Sequence, residues 1–593
     1  MIQTTPAIVT QDAVRRLPRW ALWLFCLAYC LPGLIGRSPW KREDLTSLGA
    51  MLELVRGTST LWHPGVAGLP LDSGAVLPYA LGAAAISLTQ GLIPAETAVR
   101  LLALVLLLIT LMATWYASYA LARLPHAQPV AFAFGGEAQP VDYARAIADA
   151  SVLALVASLG LAQLSHETTP AQMQLCAMSV VYFGVAHLHT KLIKGGLAVV
   201  LGLATLALSG APFVAIALAV TTALHFALLP GNDPNRPTPL TIGLLIGVGV
   251  AVALAVWALD LWRWRLNQPL MGDAAHWQSL GRLFLWFTWP LWPMALWTLW
   301  RWRSLWISGR QRSSHLWLPL CFLIFPVLAT LTTSGADRSL LLALPALATL
   351  AAFALPTLRR SVGALIDWFT LLFFSGCAIV IWTVWLSLAL GWPAPPAHNV
   401  ARLLPGFVHT SSMAALLVAL LATLFWMWLV FWRVGRHRPA LWKGLVLPAG
   451  GAALSWCLLM TLWLPMLDYA RSYRPWIASV QHVVGNPQGC IQVSGLSAAQ
   501  LAALRADTDW VLRQPDTQAD CAWALVSLET PDPRLLPDAP PPWQRAATTG
   551  HPAERKDSVA VLQRIKTTDP TPTPSGTAEN SVQSKTPDRA DSE

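Results

Sequence analysis

Thirteen apolar stretches, each near the length of a bilayer-spanning helix, leave this chain few ways to fold. They run near 20–36, 99–121, 147–164, 171–189, 194–209, 211–229, 240–260, 282–300, 316–333, 339–357, 364–390, 408–432 and 444–465. A hydrocarbon core needs roughly 20 apolar residues in helical form to cross it. Of the 593 residues 55% are hydrophobic and only 12% are charged, against about 25% charged in a soluble chain. Disorder, a collagen-like fibre and a soluble multidomain enzyme are therefore excluded over most of the length. The 31 tryptophans suit a membrane protein, because indole rings favour the membrane–water boundary. The expected fold class is an all-α polytopic membrane protein.

Charge sets the expected orientation. The net charge of +10 is spread as short clusters between apolar runs, which argues against nucleic-acid binding and for loops on the cytoplasmic side. With the N-terminus (1–19) inside, the inner loops carry Arg15/Arg16/Arg19, Arg123/Arg145, Lys191/Lys194, Arg236, Arg301/Arg303/Arg310/Arg312, Arg359/Arg360 and Arg433/Arg436/Arg438/Lys443. Thirteen is odd, so the polar C-terminal part falls outside, in the periplasm of a bacterial inner membrane. The stretch Pro78–Ile93 is too short to span and reads as an interfacial helix in a large first external loop, 37–98. The first apolar stretch, Trp20–Ile35, follows three arginines with no small-residue cleavage pattern, so it reads as an anchor rather than a signal peptide.

Beyond Pro465 the pattern changes. The transmembrane part is expected to end there, with a small periplasmic α/β domain over 466–566 and a disordered tail over 567–593 rich in Thr, Pro, Ser and acidic groups. Cys490–Val493 and Cys521–Leu528 read as strands and Ser497–Arg505 as a helix. Six cysteines lie in apolar runs and read as packing residues; Cys26 and Cys30 share a helix face but lack polar co-ligands. Cys490 and Cys521 could pair if the tail is extracytoplasmic. Gly243-x-x-x-Gly247 reads as a close helix-packing motif.

The chemistry-bearing residues concentrate in the first external loop. Trp40-Lys41-Arg42-Glu43-Asp44-Leu45 opens an apolar-periodic helix running to Gly57; Trp62-His63-Pro64 and Leu69-Pro70-Leu71-Asp72-Ser73-Gly74 follow, then the interfacial helix with Tyr79. Taken alone, Glu43 and Asp44 complement a helix dipole. Asp72 suits a turn as well as it suits a ligand contact. His166-Glu167, at the outer end of the third expected span, could orient a substrate or bind a divalent ion, or could be a plain polar pair at a helix end. His187 and His189 face different directions on a helix and are assigned no site. No His/Cys cluster has metal-ligand spacing, and no phosphate loop, dinucleotide fingerprint or nucleophile elbow occurs.

The order of first span, acidic pair, amphipathic helix ending near Gly, Trp-x-Pro, second polar turn and short apolar helix resembles the first periplasmic loop of GT-C glycosyltransferases. Bacterial lipid A aminoarabinose transferases and protein O-mannosyltransferases are the nearest in pattern. Phe287-Thr288-Trp289-Pro290-Leu291-Trp292-Pro293 resembles their Trp-Pro-rich helix, and Ser334-Gly335-Ala336-Asp337-Arg338 followed by Leu340–Pro356 resembles their segment after an external tip. The resemblance covers most of 20–465. It implies a GT-C fold and transfer of a sugar from an undecaprenyl-phosphate donor to lipid A or another envelope acceptor. Glu43 or Asp44 would be the general base; Lys41, Arg42, Asp72, Tyr79, His166, Glu167 and Arg338 would contact substrate, with Arg263, Arg265 and Arg282 as weaker phosphate partners. No cofactor is firmly implied, and a divalent metal ion stays open. Two departures stand out: Glu43-Asp44 replaces the common Asp-Glu, and Asp72-Ser73-Gly74-Ala75 stands where aminoarabinose transferases carry Lys-Pro-Pro.

Two rival readings remain at this level. A transporter or flippase of lipid-linked sugars would place ionisable residues in mid-span, whereas Asp260, Arg282 and Asp367 fall near expected ends. An envelope assembly protein would act through the external domain.

Overall fold

In hydrocarbon, every backbone N–H and C=O must find its partner within the chain, and the observed architecture is overwhelmingly helical. The computed structural model describes residues 5–40, 42–71, 74–229, 236–262, 273–307, 313–333, 335–434, 440–487, 489–515, 521–529, 543–554 and 557–565. Among these, six helices are long and apolar enough to cross a bilayer, and five further apolar helices are shorter. The longest of the early ones, Ala95–Ala122, has 28 residues and so extends about 42 Å.

Helix Pro140–Ala157 lies at the centre of the bundle and is buried at every position from Ala146 to Ala157. Ala95–Ala122, Pro170–His187, Leu344–Ala352 and the segment around Leu445–Ala449 close over it as one core. Close packing comes from small residues. A Cβ added at Gly184 would meet the Gly195 carbonyl oxygen at 2.8 Å, and one at Gly202 would meet the Val181 side chain at 2.6 Å. The expected motif at Gly243 and Gly247 does not act this way: both face outward and a Cβ there meets nothing within 4 Å, while Gly249 of the same helix approaches Ala219. Two outer helices, Arg360–Leu390 and Met413–Val434, pack on Val446–Leu459 to form a separate cluster.

Several expected spans are broken. The 282–300 stretch splits into Ala274–Phe287 and Leu291–Arg301, because Pro290 has no N–H to continue the ladder. The carbonyls released at the break are recovered across the bundle. Gly160 N–H donates to Phe287 O at 2.9 Å and Leu159 N–H to Trp289 O at 3.2 Å. Gly160 is required there, since a Cβ would fall 2.4 Å from the Phe287 ring. The 339–357 stretch likewise divides into Ala336–Leu341 and Leu344–Ala352.

The segment after the first helix contains helix Glu43–Val55, a two-residue hairpin pairing β1 (Gly65–Val66) with β2 (Leu69–Pro70), and helix Leu77–Leu88 in place of the expected interfacial segment. After Leu464 the chain forms a five-stranded mixed sheet from β3 (Cys490–Ser494), β4 (Val511–Arg513), β5 (Trp523–Ser527), β6 (Trp543–Gly550) and β7 (Ser558–Arg564), in the order β4-β3-β5-β7-β6. Cys490 and Cys521 form a disulfide. Helix Ala498–Asp507 starts in a capping box between Ser497 and Gln500. The expected disordered tail lies outside the described residues.

This sheet does not stand apart from the loop. Leu45, Leu48 and Met51 of the loop helix share one core with Trp476, Val480, Ile491, Leu501 and Val561. The two helices meet at Gly49, where a Cβ would lie 2.5 Å from that of Ala502. Gly49→Leu is expected to pry loop and sheet apart at a cost of about 1–3 kcal/mol, read as a lower thermal midpoint of the detergent-solubilised protein, with Gly49→Ala milder. An unchanged midpoint for Gly49→Leu would contradict the shared core.

Candidate functional site

Helix Glu43–Val55 begins abruptly. Arg42 precedes it at φ 65°, a conformation that costs a non-glycine residue about 1–3 kcal/mol, and Glu43 and Asp44 occupy its first turn. Side chains at adjacent helical positions diverge, so the two carboxylates meet different surroundings. Asp44 turns inward and is 2% exposed. Its Oδ1 accepts from the Thr168 N–H and hydroxyl, both at 2.7 Å. Its Oδ2 accepts from Arg37 Nη2 at 3.0 Å and from the Trp40 N–H at 3.2 Å. Burial alone would raise the Asp44 pKa, but Arg37, the two Thr168 donors and Arg100 together hold it below the usual carboxylate range. The Arg37 guanidinium is itself buried and stacks over the Trp40 ring at 4.5 Å.

Glu43 is exposed and faces a cavity of about 740 Å³ between the bundle, the first loop and the C-terminal sheet. Arg42, Tyr79, Arg338, Tyr473, Glu529 and Asp557 give the cavity its polar groups. Ala211, Val214, Pro326, Ala329 and Leu342 form an apolar wall contributed by the bundle helices. The Tyr473 hydroxyl donates to Asp557 at 2.8 Å. An apolar wall with a few converging polar groups is the usual make-up of a ligand site.

Behind the rim lies a relay of fixed charges. Arg338 is held by Glu167 at 3.3 Å, and Glu167 accepts from Gln163 at 2.9 Å. Gln163 in turn accepts from Arg471 at 2.7 Å, and the Arg471 guanidinium lies over the Trp40 ring at 5.0 Å. Burial and the Asp44 charge push the Glu167 pKa up, and Gln163, Arg338 and Arg37 only partly offset this. Asp468 fixes the chain ahead of the acidic pair, accepting from the Ser38 N–H and hydroxyl and from the Trp40 indole.

Of the residues singled out in the sequence, Arg42, Glu43, Tyr79 and Arg338 line one cavity. Asp44 and Glu167 sit directly behind it as buried partners. His166 does not line it. Its ring packs between Tyr29 and Trp456, it pairs with the carbonyls of Ala162 and Tyr29, and burial lowers its pKa to about 4. Lys41 and Asp72 lie outside the described residues, as do Arg263 and Arg265. Among the described residues no three His, Cys, Asp or Glu side chains converge to hold a metal ion. Arg37, Thr168, Asp468, Arg471, Tyr473 and Asp557 escaped the sequence reading. Arg37 and Asp468/Arg471 carried a signal, as charges at the exit of the first and last apolar runs; Thr168 and Asp557 carried none.

No protein family and no curated protein matches the sequence. Solved structures do match the fold. ArnT from Cupriavidus metallidurans bound to undecaprenyl phosphate aligns with 15% identity and a TM-score of 0.59, covering 92% of this chain and 98% of that one. The same protein in the apo state aligns with 14% identity and a TM-score of 0.58, covering 93% and 99%. The chain therefore shares the fold of these ArnT structures, with mostly helical structure and a small C-terminal sheet region.

The two carboxylates should respond differently to loss of charge. Asp44→Asn leaves Arg37 buried without its counter-charge and is expected to cost about 3–5 kcal/mol, whereas Glu43→Gln at the cavity surface should stay within about 0.5 kcal/mol. The folded pKa of Asp44 lies below its unfolded value near 3.9. Its contribution is therefore full above that pH and is lost as pH falls through the folded value, a loss confined below about pH 4. Thermal midpoints from pH 3 to 8 check both points; equal midpoints for the two variants at neutral pH would contradict the assignment.

Proposed function

We propose that this chain is a multi-pass membrane glycosyltransferase that moves a sugar from a polyprenyl-phosphate carrier to a hydroxyl of lipid A or another envelope acceptor. The observation that carries the reading is the single cavity in which the exposed Glu43 carboxylate shares the walls with Arg42, Arg338 and an apolar surface. The carrier suits these walls. Its isoprenoid chain would lie along Val214, Pro326 and Ala329, and its phosphate would meet arginine, whose fork matches phosphate oxygens. The ArnT structure with undecaprenyl phosphate supports a carrier of that class.

The chemistry follows from the charges. The acceptor hydroxyl attacks the anomeric carbon from the side opposite the phosphate. Glu43 takes the hydroxyl proton as general base, the new C–O bond forms, and the bond to the phosphate oxygen breaks. The phosphate leaves with the electron pair and is offset by Arg338 and Arg42. One displacement inverts the sugar carbon. Asp44 has no free lone pair facing the cavity and serves instead to fix the helix that presents Glu43. Glu167 does the same for Arg338.

We read the cavity as periplasmic and the membrane as the bacterial inner membrane. Arg16 pairs with Asp142, and the Trp442 indole donates to Arg15 O, so the N-terminal segment sits at the basic end of the bundle. Helix Ala95–Ala122 starts at the other end, where Glu96 pairs with Arg474 of the C-terminal region. N- and C-terminal parts at opposite ends fit an odd number of crossings, and thirteen passes, some through broken helices, satisfy it. The basic end would be cytoplasmic.

Purified Glu43→Gln is expected to lose about 10²–10⁴-fold in transfer rate, the usual worth of a general base, while retaining the wild-type thermal midpoint. The assay follows product formation from an undecaprenyl-phosphate sugar by mass spectrometry, with lipid A as acceptor. Full activity of Glu43→Gln, or of the double variant with Asp44→Asn, would overturn the base assignment. Translocation of the sugar lipid without product would favour a flippase.

A further inference from the structure

A second cavity, also of about 740 Å³, opens at the basic end of the bundle, far from the site already described. Its walls come from the first turns of helix Arg360–Leu390, the last turn of Met413–Val434, the turn around Leu441–Leu445 and the N-terminal segment. Leu355, Leu358, Leu371 and Trp368 supply apolar surface. On the same helix Leu365, Trp368 and Leu372 are more than half exposed, so the mouth opens on the face that meets lipid.

Inside, Asp367 Oδ2 accepts from Arg433 Nη2 at 2.6 Å, and Arg359 stands exposed at the rim. An arginine carries five N–H donors, and this one spends a single donor on its carboxylate. Arg433 Nε and Asp367 Oδ1 have no hydrogen-bond partner among the described residues. An ion pair beside hydrocarbon is costly unless further hydrogen bonds complete it. Among the described residues the lining carries two arginines against one aspartate, a surplus of one positive charge. Lys443 lies nearby with its ammonium over the Trp432 ring at 5.1 Å. The volume is within the range of ligand-binding cavities, and basic pockets between membrane helices suit anionic headgroups.

We propose that this cavity binds an anionic phosphoglycerolipid: its phosphodiester on Arg433 and Arg359, its first acyl carbons along Leu355, Leu358, Leu371 and Trp368. The single negative charge of a phosphatidylglycerol headgroup balances the surplus, which a zwitterionic ethanolamine headgroup does not. The bound lipid would tie the outer helix pair to the N-terminal segment at the end opposite the reaction. The proposal stands whether or not the transferase reading holds.

Native mass spectrometry of the full chain in detergent tests it, with added phosphatidylglycerol, phosphatidylethanolamine, undecaprenyl phosphate or inorganic phosphate as probes. The wild type is expected to retain phosphatidylglycerol about fivefold over phosphatidylethanolamine, roughly what one basic residue is worth near a membrane surface. Two variants should lose that preference. Arg359→Gln removes the surplus positive charge and leaves the Asp367–Arg433 pair intact. Gly363→Leu fills the cavity from a position where an added Cβ meets nothing within 4 Å, and it leaves the ion pair intact. Equal retention of the two phospholipids by the wild type would overturn the proposal. So would an unchanged preference in Gly363→Leu, retention of inorganic phosphate alone, or an undecaprenyl phosphate adduct that vanishes in the same variants.

Discussion

Three chain segments meet at one carboxylate. Arg37 follows the first helix, Asp44 opens the loop helix, and Thr168 precedes Pro170–His187; all are shut away from water. An ion pair removed from water needs further hydrogen bonds to support it; Asp44 accepts four, while Arg37 Nε and Nη1 are buried without a hydrogen-bond partner among the described residues and the guanidinium is covered instead by the Trp40 ring. The consequence is geometric. A loop between membrane helices becomes a rigid wall, and the residue before Asp44 is aimed into the space the wall encloses.

The same division recurs at Arg338. One group faces the cavity, and one stands behind it and determines where the first points. Glu43 and Asp44 have similar chemistry and opposite surroundings, and it is the surroundings that separate a group able to take a proton from one able only to hold a position. The C-terminal region completes the arrangement, since its core is continuous with the loop helix and it contributes Tyr473 and Asp557 to the rim. The two ends of the bundle are chemically unlike: a mixed-charge cavity roofed by the sheet at one, and a smaller set of arginines open to lipid at the other.

Much of this was legible in the residues. Apolar runs of spanning length specify helices because hydrocarbon leaves the backbone no alternative, and the strands Cys490–Ser494 and Trp523–Ser527 with the capped helix Ala498–Asp507 fall close to where alternation and capping residues put them. Arg42, Glu43, Tyr79 and Arg338 were recognisable as one group only through resemblance, since 36 to 259 positions separate Tyr79 from its cavity neighbours in the chain. What could not be read is what tertiary contact decides. Nothing in the dipeptide Glu43-Asp44 says which carboxylate turns inward; Thr168 and Arg37 decide it. His166 looks like a ligand until Tyr29 and Trp456 close around it. The break at Trp289-Pro290 is tolerated because Leu159 and Gly160, in the turn after helix Pro140–Ala157, take up the freed carbonyls.

The most direct measurement is an experimental structure of the full chain with undecaprenyl phosphate bound. The account predicts the phosphate within hydrogen-bond reach of Arg338, the isoprenoid chain along Val214 and Ala329, and the Glu43 carboxylate open to the same space while Asp44 stays bonded to Arg37 and Thr168. A phosphate bound elsewhere, with Glu43 packed away from it, would contradict the account.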